Sequence, residues 1–313
     1  MLYDIAFMGG GVRGIGFAGV VKALDEFKYM PRRAAGTSAG AIAAALLAAG
    51  YSGREMYQAL QGLDFLRFRT KSRRFFGFAR EFFYLRRNLG IYSADYFEEW
   101  FDTLLRRKGK TVFGDLEGGI GYKLQLTASD IQNKRLLVLP QDLKLFGLEP
   151  QNYSIAKAVR MSMSIPLFYE PYRLKDSAGQ KHLIADGGLF CNYPIWLLDD
   201  GCKKKTIPVF GAKFAECEND NKRMNPKFFR LTNYFKQVLG AVLDAQGHGY
   251  ARITKGDTER TISISVCADG KNISSANFDL DEKTAVLLLK NGYDSASDFL
   301  KKWDFDKWLS LRS

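Results

Sequence analysis

The glycine-rich loop near the start of the chain is the sequence feature that most constrains the fold. It occupies Gly9–Gly14, directly after a short apolar strand pattern at Tyr3–Met8, and residues 15–27 behind it place their apolar side chains mostly on one helical face. A second short apolar run, Arg33–Gly36, is followed by an alanine-rich helix pattern at Ala39–Ala49. This order of strand, loop, helix, strand, turn and helix is typical of α/β proteins with a parallel sheet.

The rest of the chain continues the mixed pattern without an internal repeat or a long linker. Alternating apolar residues predict further strands, and apolar residues at helical spacing predict further helices. The predicted strands cover 122–128, 135–139, 182–185, 207–214 and 260–266. The predicted helices cover 53–62, 154–163, 228–246 and 281–303, the last of them interrupted near Gly292. A single domain spanning residues 1–313 is the simplest interpretation.

Composition excludes several classes of protein. Hydrophobic residues make up 46% of the 313 residues, so the chain can bury a full core and is not disordered throughout. With 46 Lys and Arg against 34 Asp and Glu, the formal net charge is +12, which favours anionic partners. The 2 histidines cannot build a His-rich metal site, and the 4 scattered cysteines give no disulfide framework, so we expect them to be reduced. We expect neither a metal nor a cofactor.

No segment of the sequence predicts export or insertion into a membrane. Residues Met1–Met8 lack the cationic start of a signal peptide. The most apolar stretch is Ala39–Gly50, which is well short of the about 20 residues that a membrane-spanning helix needs. We therefore expect a cytoplasmic protein with no signal peptide and no transmembrane segment.

The Gly9–Gly14 loop has the chemistry of an anion site. Glycines let a ligand approach the backbone N–H groups closely, and the N-terminus of the following helix adds partial positive charge. The anion is either a phosphate or a developing oxyanion. The loop also satisfies the dinucleotide pattern G-x-G-x-x-G, which predicts an acidic residue about 20 positions later. Residues 31–37 contain no acid, but an arginine there fits a 2′-phosphate, so an NADP-linked nucleotide-binding module remains an alternative.

A candidate nucleophile lies in the segment Gly36–Gly40, which matches G-x-S-x-G with Ser38 at its centre. The segment falls at a predicted strand-to-helix junction, where the glycines Gly36 and Gly40 permit a strained turn that exposes the Ser38 hydroxyl. The helix N-terminus behind it would stabilise negative charge that develops on a substrate. A plainer interpretation is that Ser38 only caps that helix. A nucleophilic serine needs a base, and His248 fits the Ser, Asp, His order of an α/β esterase.

A second candidate base stands where an apolar strand pattern ends in two glycines. Residues 183–185 lead into Asp186, so its carboxylate can face a neighbouring loop. At hydrogen-bond distance from Ser38 it could accept the serine proton directly, and partial desolvation would raise its pKa toward that of a useful base. The alternative is an ordinary Asp-Gly turn.

Together, these motifs resemble those of the patatin-like phospholipase family. The family pattern is G-G-G-x-R/K-G, then G-x-S-x-G, then D-G-G or D-G-A. This chain carries the three in that order at Gly9–Gly14, Gly36–Gly40 and Asp186–Gly188. Three motifs in one order are far more specific than any one of them.

Two further segments resemble the same family. Arg160–Pro166 is similar to its R-A-S-x-S-x-P segment, with Met161 in place of the usual small residue. Leu189–Pro194 is similar to the N-x-P segment that follows the family's aspartate. The resemblance covers residues 3–215, and residues 216–313 are then an extension packed on this core.

The resemblance implies a three-layer α/β/α sandwich with a central, mostly parallel sheet. It also implies a serine lipid acyl hydrolase, phospholipase A-like, that uses neither calcium nor a catalytic histidine. By position, Ser38 is the nucleophile and Asp186 the base, and the partner is a phospholipid or another acyl lipid. Arg13 either holds the glycine loop or binds an anionic group of the substrate. The implied oxyanion-hole residues are Gly9, Gly10, Gly11, Arg13 and Gly14.

The segment Phe65–Arg87 carries most of the excess positive charge. Its eight basic residues and one acidic residue give +7 of the total +12. Drawn as a helix, residues 73–87 place phenylalanines on one face and arginines opposite, as in a helix that lies on anionic lipid. The alternative is that the Phe face packs on the core. No nucleic-acid-binding motif accompanies the charge, so we expect no nucleic-acid partner. The candidate membrane residues are Arg73, Arg74, Phe75, Phe78, Phe82 and Arg87.

Overall fold

The computed structural model describes residues 1–61, 88–116, 121–199, 207–217, 256–275 and 280–311. The basic segment Phe65–Arg87, with its six candidate membrane residues, lies outside these ranges, as do His248 and the predicted helix 228–246. Within the described ranges, no helix combines the length and the hydrophobicity needed to cross a bilayer.

A mixed, mostly parallel sheet forms the centre of the fold. The described strands are β1 Leu2–Phe7, β2 Met30–Gly36, β3 Gly90–Tyr92, β4 Leu124–Asp130, β5 Arg135–Leu139, β6 Leu167–Tyr169, β7 Tyr172–Lys175, β8 Lys181–Asp186, β9 Val209–Ala215, β10 Thr261–Ser265, β11 Cys267–Ala268 and β12 Lys271–Asn272. Eight of them form one sheet in the order β10-β9-β1-β2-β4-β8-β7, with β5 also paired to β4. Strands β10, β9, β1, β2 and β4 are parallel neighbours, whereas β5, β7 and β8 join in antiparallel pairs.

Helices flank this sheet, and several begin at side-chain caps that the sequence provides. The described helices are α1 Ile15–Glu26, α2 Ala39–Ala48, α3 Gly53–Gln61, α4 Asp95–Arg107, α5 Ile155–Ser162, α6 Glu282–Lys302 and α7 Phe305–Ser310. Ser154, Asp281 and Asp304 each accept a hydrogen bond from the backbone N–H three residues later, as N-cap residues do. The predicted α/β class with a mostly parallel sheet is confirmed.

Two elements differ from the sequence predictions. Helix α4 was not predicted, although it buries Phe97, Phe101 and Leu104 along one side, a spacing that indicates an amphipathic helix. The predicted interruption of α6 near Gly292 is wrong, because the helix runs unbroken through this residue. Gly292 serves helix packing instead: a Cβ there would lie 1.9 Å from the carbonyl oxygen of Gly16 in α1.

The core lies on both faces of the sheet, and the alternation of β1 separates the two sides. Tyr3, Ile5 and Phe7 belong to the larger core, to which α1, α2 and α6 also contribute buried residues. Ala6 points to the opposite face, into a smaller cluster that includes Ile195 of the short 3-10 helix Ile195–Leu198. The sheet is therefore covered on both sides, as parallel sheets require.

Strand pairing brings the ends of β2 and β8 together. On one edge of β4, Leu126 pairs with Gly36 of β2, and Ala128 pairs with Asp186 of β8. On the other edge, both residues pair with β5. Strands β2 and β8 consequently share one edge of β4 and meet end to end. Their last residues, Gly36 and Asp186, stand opposite β4 positions that are only two residues apart.

A disulfide joins Cys217 and Cys267, so the expectation of reduced cysteines is wrong for this pair. The two residues are 50 positions apart in sequence, but each follows a strand of the same parallel pair by two residues. Ala215 at the end of β9 pairs with Ser265 at the end of β10, and this register places the cysteine Cα atoms 5.5 Å apart. Cys191 is a free thiol.

Candidate active site

Ser38 stands on a sharp turn between β2 and α2, with a backbone conformation that side chains rarely adopt. Its φ is +54° and its ψ is −120°. The turn can be this tight because both flanking residues are glycines. A Cβ on Gly36 would lie 2.1 Å from the carbonyl oxygen of Gly40, and a Cβ on Gly40 would lie 2.3 Å from the carbonyl oxygen of Phe7. Ser38 occupies the N-cap position of α2, yet its hydroxyl makes no capping hydrogen bond. The interpretation of Ser38 as a plain helix cap is therefore wrong.

Buried hydroxyl groups hold this strained turn in place. The backbone N–H of Ser38 donates to the Oγ of Ser162 at 3.0 Å, and Ser162 is completely buried at the end of α5. The preceding residue, Thr37, shares a hydrogen bond of 2.6 Å between its Oγ1 and the Oγ1 of Thr127 on β4. The Thr37 hydroxyl also donates to the Cys191 carbonyl at 2.9 Å. Paired hydrogen bonds of this kind compensate for the backbone strain at the neighbouring residue.

Asp186 ends β8 beside this turn and is almost completely buried. Its Oδ1 accepts a hydrogen bond from the Gly188 N–H at 2.7 Å, but its Oδ2 has no hydrogen-bond partner among the described residues. Burial raises the pKa of Asp186 to about 7, although the Ser38 hydroxyl and the Gly188 N–H both act to lower it. The Ser38 hydroxyl thus interacts with the carboxylate without reaching Oδ2 in hydrogen-bonding geometry. The structure brings the two residues together.

One short segment at the C-terminal end of α5 is hydrogen-bonded to both Ser38 and Asp186. Ser162 binds the backbone of Ser38, and two positions later the carbonyl of Ser164 accepts the Asp186 N–H at 2.8 Å. The Ser164 hydroxyl in turn accepts from the buried guanidinium of Arg160 at 2.8 Å. Sequence analysis identified Arg160–Pro166 only by its resemblance to a family segment, because no spacing rule indicates that its serines reach two different strand ends.

The glycine loop lies against the same turn. A Cβ on Gly14 would lie 3.0 Å from the Cβ of Ala39, the residue after Ser38. The Gly9 N–H donates to the Asn192 carbonyl at 2.9 Å, and the Val12 N–H donates to the Ser275 carbonyl at 3.1 Å. The N–H groups of Gly10 and Gly11 make no hydrogen bond within the described part of the chain. They precede α1, where the partial positive charge of a helix N-terminus favours an anion.

Arg13 anchors this loop to the segment that follows β12. Its Nε donates to the Ile273 carbonyl at 2.6 Å, and its Nη1 lies 3.5 Å from a carboxylate oxygen of Glu216. The guanidinium is therefore directed at the neighbouring chain segment. Of the two roles implied for Arg13, this arrangement corresponds to holding the loop.

The described residues give little support to a histidine-based esterase, a nucleotide-binding site or a metal site. His182 is paired with Asp176 at 3.0 Å on the β7–β8 hairpin, and His248 lies outside the described ranges. The arginines available to a nucleotide phosphate, Arg32 and Arg33, lie near the start of β2 and bind Asp4, at the opposite end of the sheet from the glycine loop. No cluster of three His, Cys, Asp or Glu side chains suited to a metal ion occurs in the part of the chain that the structure describes.

Comparison with known proteins decides the family. Residues 5–199 match the profile of the patatin-like phospholipase family. The chain belongs to the patatin-like phospholipase family. This patatin-like chain is 35% identical over 308 residues to the uncharacterized protein YqhO of Bacillus subtilis (strain 168), covering 97% of this chain and 100% of that protein. It is 27% identical to an uncharacterized protein of Acanthamoeba polyphaga mimivirus, covering 96% and 94% of the two chains.

Solved structures of other proteins share the patatin-like fold. VipD from Legionella pneumophila aligns with 96% of this chain at a TM-score of 0.54 and 16% identity. The type III effector protein ExoU aligns with 96% of this chain at a TM-score of 0.52 and 14% identity. This chain spans 66% of the VipD chain and 52% of the ExoU chain, so the likeness concerns the shared fold.

Proposed function

We propose that this patatin-like protein is a serine lipid acyl hydrolase, phospholipase A-like and calcium-independent, with Ser38 as nucleophile and Asp186 as base. The observation that carries the proposal is the pairing of a strained serine turn with a buried carboxylate, one oxygen of which has no hydrogen-bond partner among the described residues. A pKa of about 7 suits a general base near neutral pH, because the carboxylate is partly ionised there and still basic enough to take a proton.

Acylation uses the groups at this turn in sequence. The carboxylate of Asp186 takes the hydroxyl proton of Ser38 as the Ser38 Oγ attacks the carbonyl carbon of the acyl ester. The resulting oxyanion accepts hydrogen bonds from the N–H groups of Gly10 and Gly11, beside the N-terminus of α1. When the tetrahedral intermediate collapses, the ester C–O bond breaks, and the departing alcohol or lysolipid takes the proton back from Asp186.

Deacylation repeats the same proton transfers with water in place of serine. Asp186 takes a proton from a water molecule, and the hydroxide oxygen attacks the acyl-enzyme. The bond between the acyl carbon and Ser38 Oγ then breaks, the fatty acid leaves, and Ser38 recovers its proton. Arg13 takes no part in these transfers and keeps the glycine loop in register with Ser38 through Ile273.

Fatty-acid release from mixed phospholipid vesicles in the presence of EDTA tests the proposal. The wild type should release fatty acid, Ser38→Ala should not, and Ser177→Ala should match the wild type because Ser177 is an exposed serine of the β7–β8 turn. Release that persists in folded Ser38→Ala would refute the nucleophile, and release that requires added calcium would refute calcium independence.

A Ser-His-Asp esterase that uses His248 is the competing catalytic scheme. It places the proton on an imidazole instead of a carboxylate. Near-normal hydrolysis by His248→Ala would support the Ser38–Asp186 pair, whereas a loss as large as that of Ser38→Ala would support the histidine.

The net charge of +12 supports a second part of the proposal, peripheral contact with anionic membrane through Phe65–Arg87. Each basic residue near an anionic surface contributes about 1 kcal/mol, so binding should be strong to anionic vesicles and fall with salt. Reversing Arg73 and Arg74 to glutamate should weaken binding to anionic vesicles while leaving hydrolysis of a soluble ester unchanged. Equal binding to neutral and anionic vesicles at any salt concentration would refute this contact.

A further inference from the structure

We infer that Asn192 is a further catalytic residue whose side-chain amide donates a hydrogen bond to the substrate ester as Ser38 attacks it. Asn192 follows the aspartate turn and is 8% exposed. The inference rests on the proposed function, because it assigns a role at the same Ser38 centre.

The first observation is where the Asn192 side chain lies. A Cβ atom placed on Gly9 would lie 2.2 Å from the Asn192 Oδ1 and 3.4 Å from the Ser38 Cβ. The atom that faces Gly9 is the amide oxygen, and a half-turn of the carboxamide would bring its N–H donor to the same place. The carboxamide, the glycine loop and the nucleophile therefore meet around one small volume. A Cβ at position 9 would force the carboxamide out of this volume.

The second observation is that the carboxamide has no hydrogen-bond partner among the residues that the structure describes. The backbone carbonyl of Asn192 accepts the Gly9 N–H at 2.9 Å, and this bond fixes the residue against the loop. The side-chain amide makes no hydrogen bond within the described residues, although more than nine-tenths of Asn192 is buried. An amide that makes no such bond keeps its donors for a bound group, and a role limited to packing would be served as well by an apolar side chain.

Both observations are accounted for if the partner arrives with the substrate. The ester carbonyl must enter beside Ser38 and the N–H groups of Gly10 and Gly11, which is the region that Asn192 borders. An amide N–H placed there would bind the developing oxyanion more strongly than the neutral carbonyl, because the negative charge strengthens the hydrogen bond. The expected signature is a loss of kcat with little change in KM.

The test compares Asn192→Ala and Asn192→Asp with the wild type and with Asn152→Ala. Asn152 is exposed in the 3-10 helix Pro150–Asn152, so its variant controls for the loss of one amide elsewhere. Each protein is assayed with a soluble acyl ester for kcat and KM, and with a trifluoromethyl ketone that forms a tetrahedral adduct on Ser38. Thermal unfolding reports whether each variant is folded.

A lost oxyanion donor lowers kcat by about 100-fold or more, and we expect this for Asn192→Ala, with a matching loss of ketone affinity and an unchanged KM. Asn192→Asp preserves the shape of the side chain, so it remains informative if the alanine variant does not fold. It should be at least as impaired, because a carboxylate donates no hydrogen bond and repels the oxyanion.

The two levels of the proposal fail in different ways. Folded Asn192 variants with wild-type kcat and ketone affinity would overturn the inference while leaving Ser38 in place. A wild type that neither hydrolyses the ester nor binds the ketone would overturn the proposed function itself. A loss of kcat without any loss of ketone affinity would also overturn the inference, because it would indicate a role outside the transition state.

Discussion

Two buried carboxylates, Asp4 and Asp186, lie at opposite ends of the same sheet and have opposite surroundings. Asp4 near the start of β1 is fully buried and bound by two arginines. Arg33 donates to it from its backbone N–H at 3.1 Å, from Nε at 3.0 Å and from Nη2 at 2.6 Å. Arg32 adds Nε at 2.9 Å and its Nη2. Asp186 has the Gly188 N–H and the nearby Ser38 hydroxyl, and its Oδ2 has no hydrogen-bond partner among the described residues.

The difference shows how one side chain serves two purposes. Around Asp4 two guanidinium groups and a backbone N–H bind the carboxylate, which thereby joins β1 to β2. Burial raises the pKa of Asp186 to about 7. The ionised carboxylate therefore destabilises the fold, and it is more basic than an exposed aspartate. We therefore expect Asp4 to matter for stability and Asp186 for activity. Three predictions test that division, and a fourth tests the turn that holds Ser38 beside Asp186.

The largest expected effect is on hydrolysis by Asp186→Asn. Asparagine keeps the size of the side chain but cannot accept the serine proton, and a general base contributes about 10²–10⁴-fold to the rate. We expect kcat to fall by roughly 1,000-fold in a steady-state assay with a soluble ester. Asp294→Asn, on the exposed part of α6, is the control and should keep wild-type kcat. If Asp186→Asn retained a tenth of wild-type kcat, Asp186 would not be the base.

The next effect is on the stability of Asp4→Asn. This change removes the Asp4 carboxylate from its ion pair with the buried guanidinium of Arg33, and removing one member of a buried ion pair costs about 3–5 kcal/mol. Urea unfolding followed by circular dichroism measures the loss. The exposed pair Lys290–Asp294 offers a matched comparison, because breaking it should cost about 0–1 kcal/mol. Similar losses in the two variants would contradict the assignment of Asp4 to stability.

The Asp186→Asn variant should be more stable than the wild type above neutral pH. An unfolded aspartate ionises near pH 3.9, whereas the folded pKa of about 7 keeps Asp186 protonated over that range. The contribution of Asp186 to the free energy of unfolding is thus fully present below about pH 4 and is lost as the pH rises to about 7. The variant lacks this loss, so its advantage should grow to a limit of about 4 kcal/mol above pH 7. Urea midpoints at pH 5 and pH 8 measure it, and an advantage that shrinks with rising pH would show the pKa shift to have the opposite sign.

The smallest effect should come from Ser162→Ala. The change removes the acceptor of the Ser38 N–H and leaves that buried group unsatisfied, which costs about 1–3 kcal/mol. Because the bond holds the nucleophile's turn, we also expect kcat to fall about 10-fold with KM unchanged. Ser162→Thr retains the hydroxyl and should recover most of the loss. Equal losses of kcat in both variants would argue that the volume at this position matters, and not the hydrogen bond.

Sequence reasoning went furthest where one short segment contains its own explanation. The glycine loop, the Ser38 turn and the end of β8 were predicted because each depends on glycines and apolar residues that are adjacent in the chain. It missed the link between Ser162, Ser164 and the two strand ends, the open carboxamide of Asn192, and the disulfide. Each of these depends on a partner at least 22 positions away, the shortest separation being that between Ser164 and Asp186.

By itself, the sequence determined the local elements of this protein: a strand that ends in glycines, a strained serine turn, and an aspartate that closes an apolar strand. Periodicity and turn chemistry are local properties, so these elements follow from neighbouring residues. Only the tertiary structure decided that β2 and β8 meet end to end on one edge of β4, which brings Ser38 to Asp186. Strand order, and with it the burial that raises the pKa of Asp186 to about 7, arises from long-range pairing and packing, which no single segment encodes.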